Sequence, residues 1–303
     1  MRKIIAILLI ACFLAPQLAF AGAWTLPKGD VWAQWTTKWH WSKEQYIWNK
    51  HVARYPRDAR AWGYSLIPEI HFGATDWLDL MYKMEYKEGH YKEYARNPAW
   101  GPYSVKNHGL VTFEPAVKIR LLKEPLVIST QFWFLIWNDK YEALPLQDVA
   151  EQPGLSDRTN SFDMRILFGK KWDTKIPFYM GFETGYRWNQ RNICNQIPVF
   201  YEAGFWPLKW LLIKTELDCL LSHDGMNDNA LEKSYSIWRI GPSIQLLTIY
   251  QLMKGEDVTS KQFTSDVTRA TKSFNIECQY GNTYAGKNTA ASQEVVLKVS
   301  AQF

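Results

Sequence analysis

The chain has 303 residues, a formal net charge of +5 and a mean hydropathy of −0.31. That length allows one large or two ordinary domains, and the charge is too mild to imply a nucleic-acid partner. Its 16 Trp, 16 Tyr and 15 Phe exceed what a soluble core needs, and such rings favour membrane–water boundaries.

Arg2 and Lys3 precede the apolar run Ile4 to Leu14, and Ala19 and Ala21 supply the small residues that a signal peptidase requires. This predicts a signal peptide over residues 1–21, cleavage before Gly22, and a single barrel domain over 22–303. The run is too short to span a bilayer as a helix. Leu9-Ile10-Ala11-Cys12 also matches a lipoprotein box, although the apolar stretch before Cys12 is unusually short for one. Removing Arg2 and Lys3 leaves a charge of +3.

From Gly29 to Trp41 apolar and polar residues alternate, with Val31, Trp35 and Trp39 on one face and Gln34, Lys38 and His40 on the other. After the polar stretch Ser42 to Arg60, Trp62 to Phe72 repeats the beat. Gly73-Ala74-Thr75-Asp76 then turns into Leu78 to Tyr86. Glu88 to Asn107 is a long connection, and Lys123-Glu124-Pro125 a short one between Val111–Leu121 and Leu126–Trp137. Asn138 to Asn160 is long again. Strands follow at Phe162–Phe168 and Phe178–Trp188, then at Val199–Phe205 and Leu211–Leu221 with a turn at Trp206-Pro207, and at Tyr235–Leu246.

Residues 247–270 break the rhythm: a long strand, an inserted periplasmic loop or two hidden strands would each fit. Phe274 to Tyr280 and a connection at Gly281 to Ala291 lead to the last strand, Glu294 to Phe303. The fold class is an all-β transmembrane up-and-down antiparallel barrel of twelve strands, with fourteen as the alternative. Short connections fall on one side and long ones on the other. Closure is required because hydrocarbon offers the backbone no hydrogen-bond partner. Pro115, Pro198 and Pro242 predict bulges or displaced strand ends, since proline lacks the ladder donor.

The inward face carries acids and bases in nearly equal number. Candidate lumen-lining residues are Lys38, Glu69, Asp79, Lys83, Glu85, Glu114, Lys118, Arg120, Asp163, Arg165, Glu183, Arg187, Lys214, Glu216, Arg239, Glu277 and Lys298. Lys87, Lys171, Glu202, Asp218 and Glu294 share that face. Such a wall can pair its charges across strands or hydrate a small-solute path with little preference of sign, since selective pores show one sign in rings. Twelve strands about 4.8 Å apart and tilted about 40° give a backbone radius of about 12 Å. Trp39, Trp41, Trp62, Trp77, Trp172, Tyr186, Trp188, Trp206, Trp210 and Tyr280 lie near strand ends, as a girdle would. Trp133 and Trp137 are candidates to line a solute path.

No metal-ligand or phosphate-cradling spacing occurs, and no cofactor is expected. Ser222-His223-Asp224 holds the residue types of a hydrolase triad, yet consecutive strand residues point opposite ways. His40 and Ser42 share a face, and pairing of the first and last strands would bring Glu294 beside them. This spacing resembles that of outer-membrane phospholipase A and lipid A deacylase, which place the pair on the lipid side. Gln34, Thr36 and Lys38 place His40 inside. Cys194, Cys219 and Cys278 do not form a disulfide framework, the last two reading as lipid-facing.

Ala23-Trp24-Thr25-Leu26-Pro27-Lys28-Gly29, Phe72-Gly73-Ala74-Thr75-Asp76-Trp77-Leu78 and Phe113-Glu114-Pro115-Ala116-Val117-Lys118, with Glu124-Pro125-Leu126, resemble a family of Gram-negative outer-membrane barrels named for transport in phenol and toluene degradation. The resemblance covers the first 135 residues or so and implies a passive barrel without cofactor. The expected partners are outer-membrane lipid and lipopolysaccharide, a small solute, and the barrel-assembly machinery through Phe303. The expected function is a passive channel or transporter in the outer membrane. The alternatives are a structural or surface-interaction barrel presenting its long loops, or a lipid hydrolase using His40 and Ser42.

Overall fold

The computed structural model describes residues 22–47, 51–94, 103–138, 155, 159–190, 193–223, 232–254 and 273–303. The strands are β1 (Val31–Tyr46), β2 (Val52–Arg54), β3 (Arg60–Thr75), β4 (Leu78–Lys92), β5 (Ser104–Leu122), β6 (Val127–Trp137) and β7 (Ser161–Trp172). They continue with β8 (Phe178–Asn189), β9 (Gln196–Leu208), β10 (Leu211–Ser222), β11 (Ser234–Gln245), β12 (Ser273–Lys287) and β13 (Thr289–Gln302). Each long strand pairs antiparallel with its sequence neighbour, and β13 pairs with β1. Twelve strands thus close into a ring. The short β2 adds only to the end of β1, opposite Glu44 to Tyr46.

The seam is continuous down to the last residue. Trp32 stands opposite Gln302, and Val31 and Phe303 exchange backbone hydrogen bonds of 3.0 Å. Alternation decides which face each side chain takes. Trp35, Ile70, Phe72, Leu80, Phe134, Ile166 and Trp238 are exposed on the outside, as a wall bathed in hydrocarbon demands. The alternate positions Ser65, Asp79, Ser129, Asp163 and Gln279 are buried inside.

The turns at 76–77, 123–126, 173–177 and 209–210 share one end of the barrel with Gly22–Asp30 and Phe303, which by the outer-membrane pattern is the periplasmic end. The fourteen-strand alternative does not hold, because β11 pairs directly with β12. After Gln245 the chain forms a helix, α1 (Leu246–Met253), rather than a longer strand, and the remainder of the 247–270 stretch past Lys254 lies outside the described residues.

Several boundaries differ from expectation. β1 runs on to Tyr46, past the predicted start of a loop at Ser42, and β4 reaches Lys92 where a loop was expected from Glu88. The connection expected at Gly281 to Ala291 is instead strand: β12 and β13 meet in a tight turn at Asn288, whose φ of 49° is tolerated by asparagine. Polar small residues such as Thr283 and Ser292 look loop-like in sequence, but here they hydrogen-bond to each other across the hairpin, 3.1 Å apart. Trp206-Pro207 is not a turn; β9 continues to Leu208, with a register shift opposite Leu211 to Ile213.

Pro115, Pro198 and Pro242 cause no bulges, and only at Pro198 is a strand end displaced from expectation, β9 starting at Gln196 rather than Val199. Each lies within a strand whose register is unshifted around it, and the ladder omits pairs on one side only. Beside Pro115, for example, pairing resumes from Phe113–Ile136 to Ala116–Trp133 in the same register. Proline removes one donor, so the pair on that side is lost while the opposite edge stays bonded. The bulges fall elsewhere, including between Trp41 and Glu44 and between Glu85 and Tyr86.

Candidate functional site: the barrel lumen and its N-terminal strap

Residues 22–30 do not trail away from the barrel; they lie inside its periplasmic end as a strap. From Asp30 backwards the segment visits successive strands. Gly29 N–H donates to Gly73 O on β3 (2.8 Å), and Gly73 N–H to Asp30 O (2.9 Å). A Cβ on Gly73 would stand 2.2 Å from Pro27 O, so only glycine lets the strap lie this close. Lys28 N–H donates to Asp76 Oδ1 (3.0 Å), Thr25 Oγ1 to Asp76 O (2.8 Å), and Leu26 N–H to Asp79 Oδ1 on β4 (2.9 Å). Lys118 Nζ on β5 donates to Trp24 O (3.0 Å), and Ser129 Oγ on β6 to Ala23 O.

The Trp24 ring completes the seat. It packs against Tyr179 on β8, Trp206 on β9 and Leu212 on β10, and also against Ala23, Val127 and Leu167. A Cβ on Gly169 would lie 2.2 Å from the ring, so the bare backbone of β7 makes the room. Trp206 therefore faces inward and is buried, which corrects its assignment to the girdle. Trp39, Trp41, Trp62, Trp77, Trp188 and Tyr280 are exposed on the outside.

Above the strap the charges form pairs. Lys83 Nζ meets Glu114 Oε2 at 2.6 Å and lies over the Trp133 ring, 4.9 Å from its centroid. Asp163 takes Arg165 and Arg187, each at 2.8 Å, and Arg165 also reaches Glu183 at 3.4 Å. Lys214 joins Glu202 (2.9 Å), Glu216 (2.9 Å) and Glu277 (3.2 Å), while Lys298 joins Glu216 (2.7 Å) and Glu277 (2.8 Å). Arg239 binds Glu294 and lies 3.3 Å from Asp218.

The predicted lumen residues thus divide by what they touch. Asp79 and Lys118 hold the strap, and lie 3.6 Å from each other. Glu69 accepts from or bonds to His71 two residues along (2.7 Å). Lys38 and Glu85 occupy inward positions of β1 and β4, with Lys38 opposite Ser65 and Glu85 opposite Thr112. Arg120 sits near the periplasmic end of β5, its N–H bonded to Trp77 O (2.8 Å). Neither Lys38 nor Arg120 has an acid at ion-pair distance among the described residues.

His40 does stand opposite Glu294 in the register. The hydroxyl of Ser42 is nevertheless committed to backbone, donating to Ala291 O (2.8 Å) with Glu44 O as a second close partner. Glu294 is committed to Arg239. Both His40 and Ser42 occupy the inward face. His223 donates its backbone N–H to Asn195 O (2.7 Å), and Asp224 lies outside the described residues. Cys194, Cys219 and Cys278 form no disulfide among the described residues.

The strap was the feature missed by sequence reasoning. In the sequence its residues stand out only through the resemblance, and the three stretches carrying that resemblance meet here: Ala23–Gly29, the turn at Gly73–Asp76, and Lys118. A Trp-x-x-Pro segment too short for a strand, placed before the first one, was the available signal.

A closed ring of twelve strands, apolar outside and charged within, defines a transmembrane β-barrel of the Gram-negative outer-membrane type. Among solved structures, the chain superposes on the COG4313 outer membrane channel from Pseudomonas putida F1 with a TM-score of 0.64 and 12% identity, covering 95% of this chain and 100% of that one. At that identity the likeness establishes the fold. More distant are the transport unit of the autotransporter AIDA-I from Escherichia coli (TM-score 0.39, 10% identity, 95% and 93% covered) and a Pseudomonas aeruginosa FadL homologue (0.36, 8%, 93% and 93%). No family model and no curated protein sequence matches the chain.

Proposed function

We propose that this protein is a passive outer-membrane channel for small solutes, narrowed at its periplasmic end by the N-terminal strap. The observation that carries this reading is the interior itself: a set of inward charges, most of them paired, around a strap that lies against the wall from β3 to β10. Compensation keeps either sign of solute from being trapped or excluded, since a single-sign ring is what imposes selectivity. Six backbone groups of the strap, on Ala23, Trp24, Leu26, Lys28, Gly29 and Asp30, are bonded to the wall at defined points, so it narrows the path at a fixed place.

Conductance in planar bilayers tests this. The parent is expected to give discrete steps with weak ion selectivity, and deletion of residues 22–28 is expected to raise the step size severalfold. Silence from both folded proteins would overturn the channel reading and favour a barrel whose role lies in its outer loops.

A further inference from the structure

We propose that Ala21–Gly22 is the maturation bond of this protein, and that the α-ammonium freed there is held inside the barrel by Glu183, which locks the far end of the strap. The proposal rests on the exported-barrel reading. Ala19 and Ala21 stand at the third and first positions before the bond, where exported chains carry small residues. Hydrolysis adds water across the amide: the C–N bond breaks, Ala21 leaves with a carboxylate, and Gly22 keeps the nitrogen, which takes up a proton.

Geometry places that nitrogen beside an acid. A Cβ built on Gly22 would stand 2.1 Å from Glu183 Oε1 and 3.4 Å from Leu167 Cδ2. Nitrogen and Cβ hang from the same Cα by bonds of about 1.5 Å and so stand about 2.5 Å apart, which keeps the nitrogen within about 4.6 Å of that oxygen, and rotation about the Cα–C bond of the freed residue can bring the amine onto the carboxylate. Glu183 lies on β8, beside the start of the strap, with a side chain 12% exposed. Its neighbouring cations are engaged mainly elsewhere. Arg165 gives Asp163 two hydrogen bonds, of 3.0 and 2.8 Å, and reaches Glu183 only through Oε2 at 3.4 Å. Arg187 gives Asp163 two more, of 3.1 and 2.8 Å. Lys118 is turned to Trp24 O and Asp79. Oε1 of Glu183 therefore faces the strap, and a terminal ammonium, with three donors, fits it where a neutral peptide N–H would leave the acid poorly compensated.

The test uses the full-length gene product purified from outer membranes. Mass spectrometry is expected to show a chain beginning at Gly22. Its α-amine, challenged with a water-soluble acetylating ester, is expected to react at least tenfold more slowly than in Glu183→Gln. The pH of half-maximal labelling should also fall in the variant, because the acid that favours the charged amine is gone. Heat-modifiable migration on gels verifies that both are folded, and Glu183→Asp, with its shorter reach, serves if the Gln variant does not fold. A different terminus, such as a lipid-modified Cys12, or equal labelling in parent and variant would overturn the proposal. Neither readout depends on conductance, so failure here is distinguishable from failure of the channel reading.

Discussion

Arg239 on β11 binds Glu294 on β13, two strands away, by passing over Gly281 on β12. Gly281 stands opposite both residues in the ladder, and a Cβ there would come within 2.9 Å of Cγ of each. The glycine thus serves a span between side chains rather than a turn.

Filling that gap should break the span. Gly281→Val is expected to separate Arg239 from Glu294 and lower stability by about 1–3 kcal/mol, the cost of leaving a charged partner unsatisfied. Urea unfolding in detergent, monitored by heat-modifiable migration, measures it. Stability equal to the parent would show that the pair contributes nothing.

The strap depends on its acceptors. Asp79→Ala removes the partner of Leu26 N–H and of Lys118 together. Trypsin cleavage after Lys28 in the folded protein is expected to accelerate at least tenfold, with larger conductance steps. An unchanged cleavage rate would show that the other anchors suffice.

Trp24 sits where β7 carries no side chain. Gly169→Val is expected to expel the ring from its seat, shifting part of the tryptophan emission to the red while the barrel stays closed. Trp24→Ala should lose the same emission component and cost about 2–4 kcal/mol, somewhat below the range for truncating a fully buried tryptophan because this one is partly buried.

The two faces of one strand should answer differently to charge. Ile166→Lys on the exposed outer face of β7 is expected to cost about 2–4 kcal/mol near the bilayer midplane. Leu167→Lys, one residue on, enters a lumen that already holds charge and instead crowds Ala23 and Trp24. Folding into vesicles of defined thickness separates the two, because only the outer substitution should depend on lipid.

The hydroxyl of Ser42 is bonded to backbone carbonyls, and Glu294 is paired to Arg239. Ser42→Ala and His40→Ala are therefore expected to match the parent in fatty-acid release from phospholipid vesicles. Release by the parent that Ser42→Ala abolishes would restore the hydrolase reading.

The sequence alone determined the wall of this protein. Strand alternation repeats every two residues, so Trp35 or Glu216 declares its face from near neighbours, and counting such runs gives twelve strands, with fourteen left open by the stretch 247–270 until β11 is seen to pair with β12. Boundaries were less legible where polar small residues extend strands beyond the membrane, as at Thr283 and Ser292. Only the tertiary structure decided what the inward residues do. Closure brings Asp79, Lys118 and Ser129, from three strands, to one nine-residue segment at the N-terminal side. It also sets a glycine on β12 between an arginine and a glutamate. Those relations depend on register and ring closure, which are properties of the whole sheet and have no local period to reveal them.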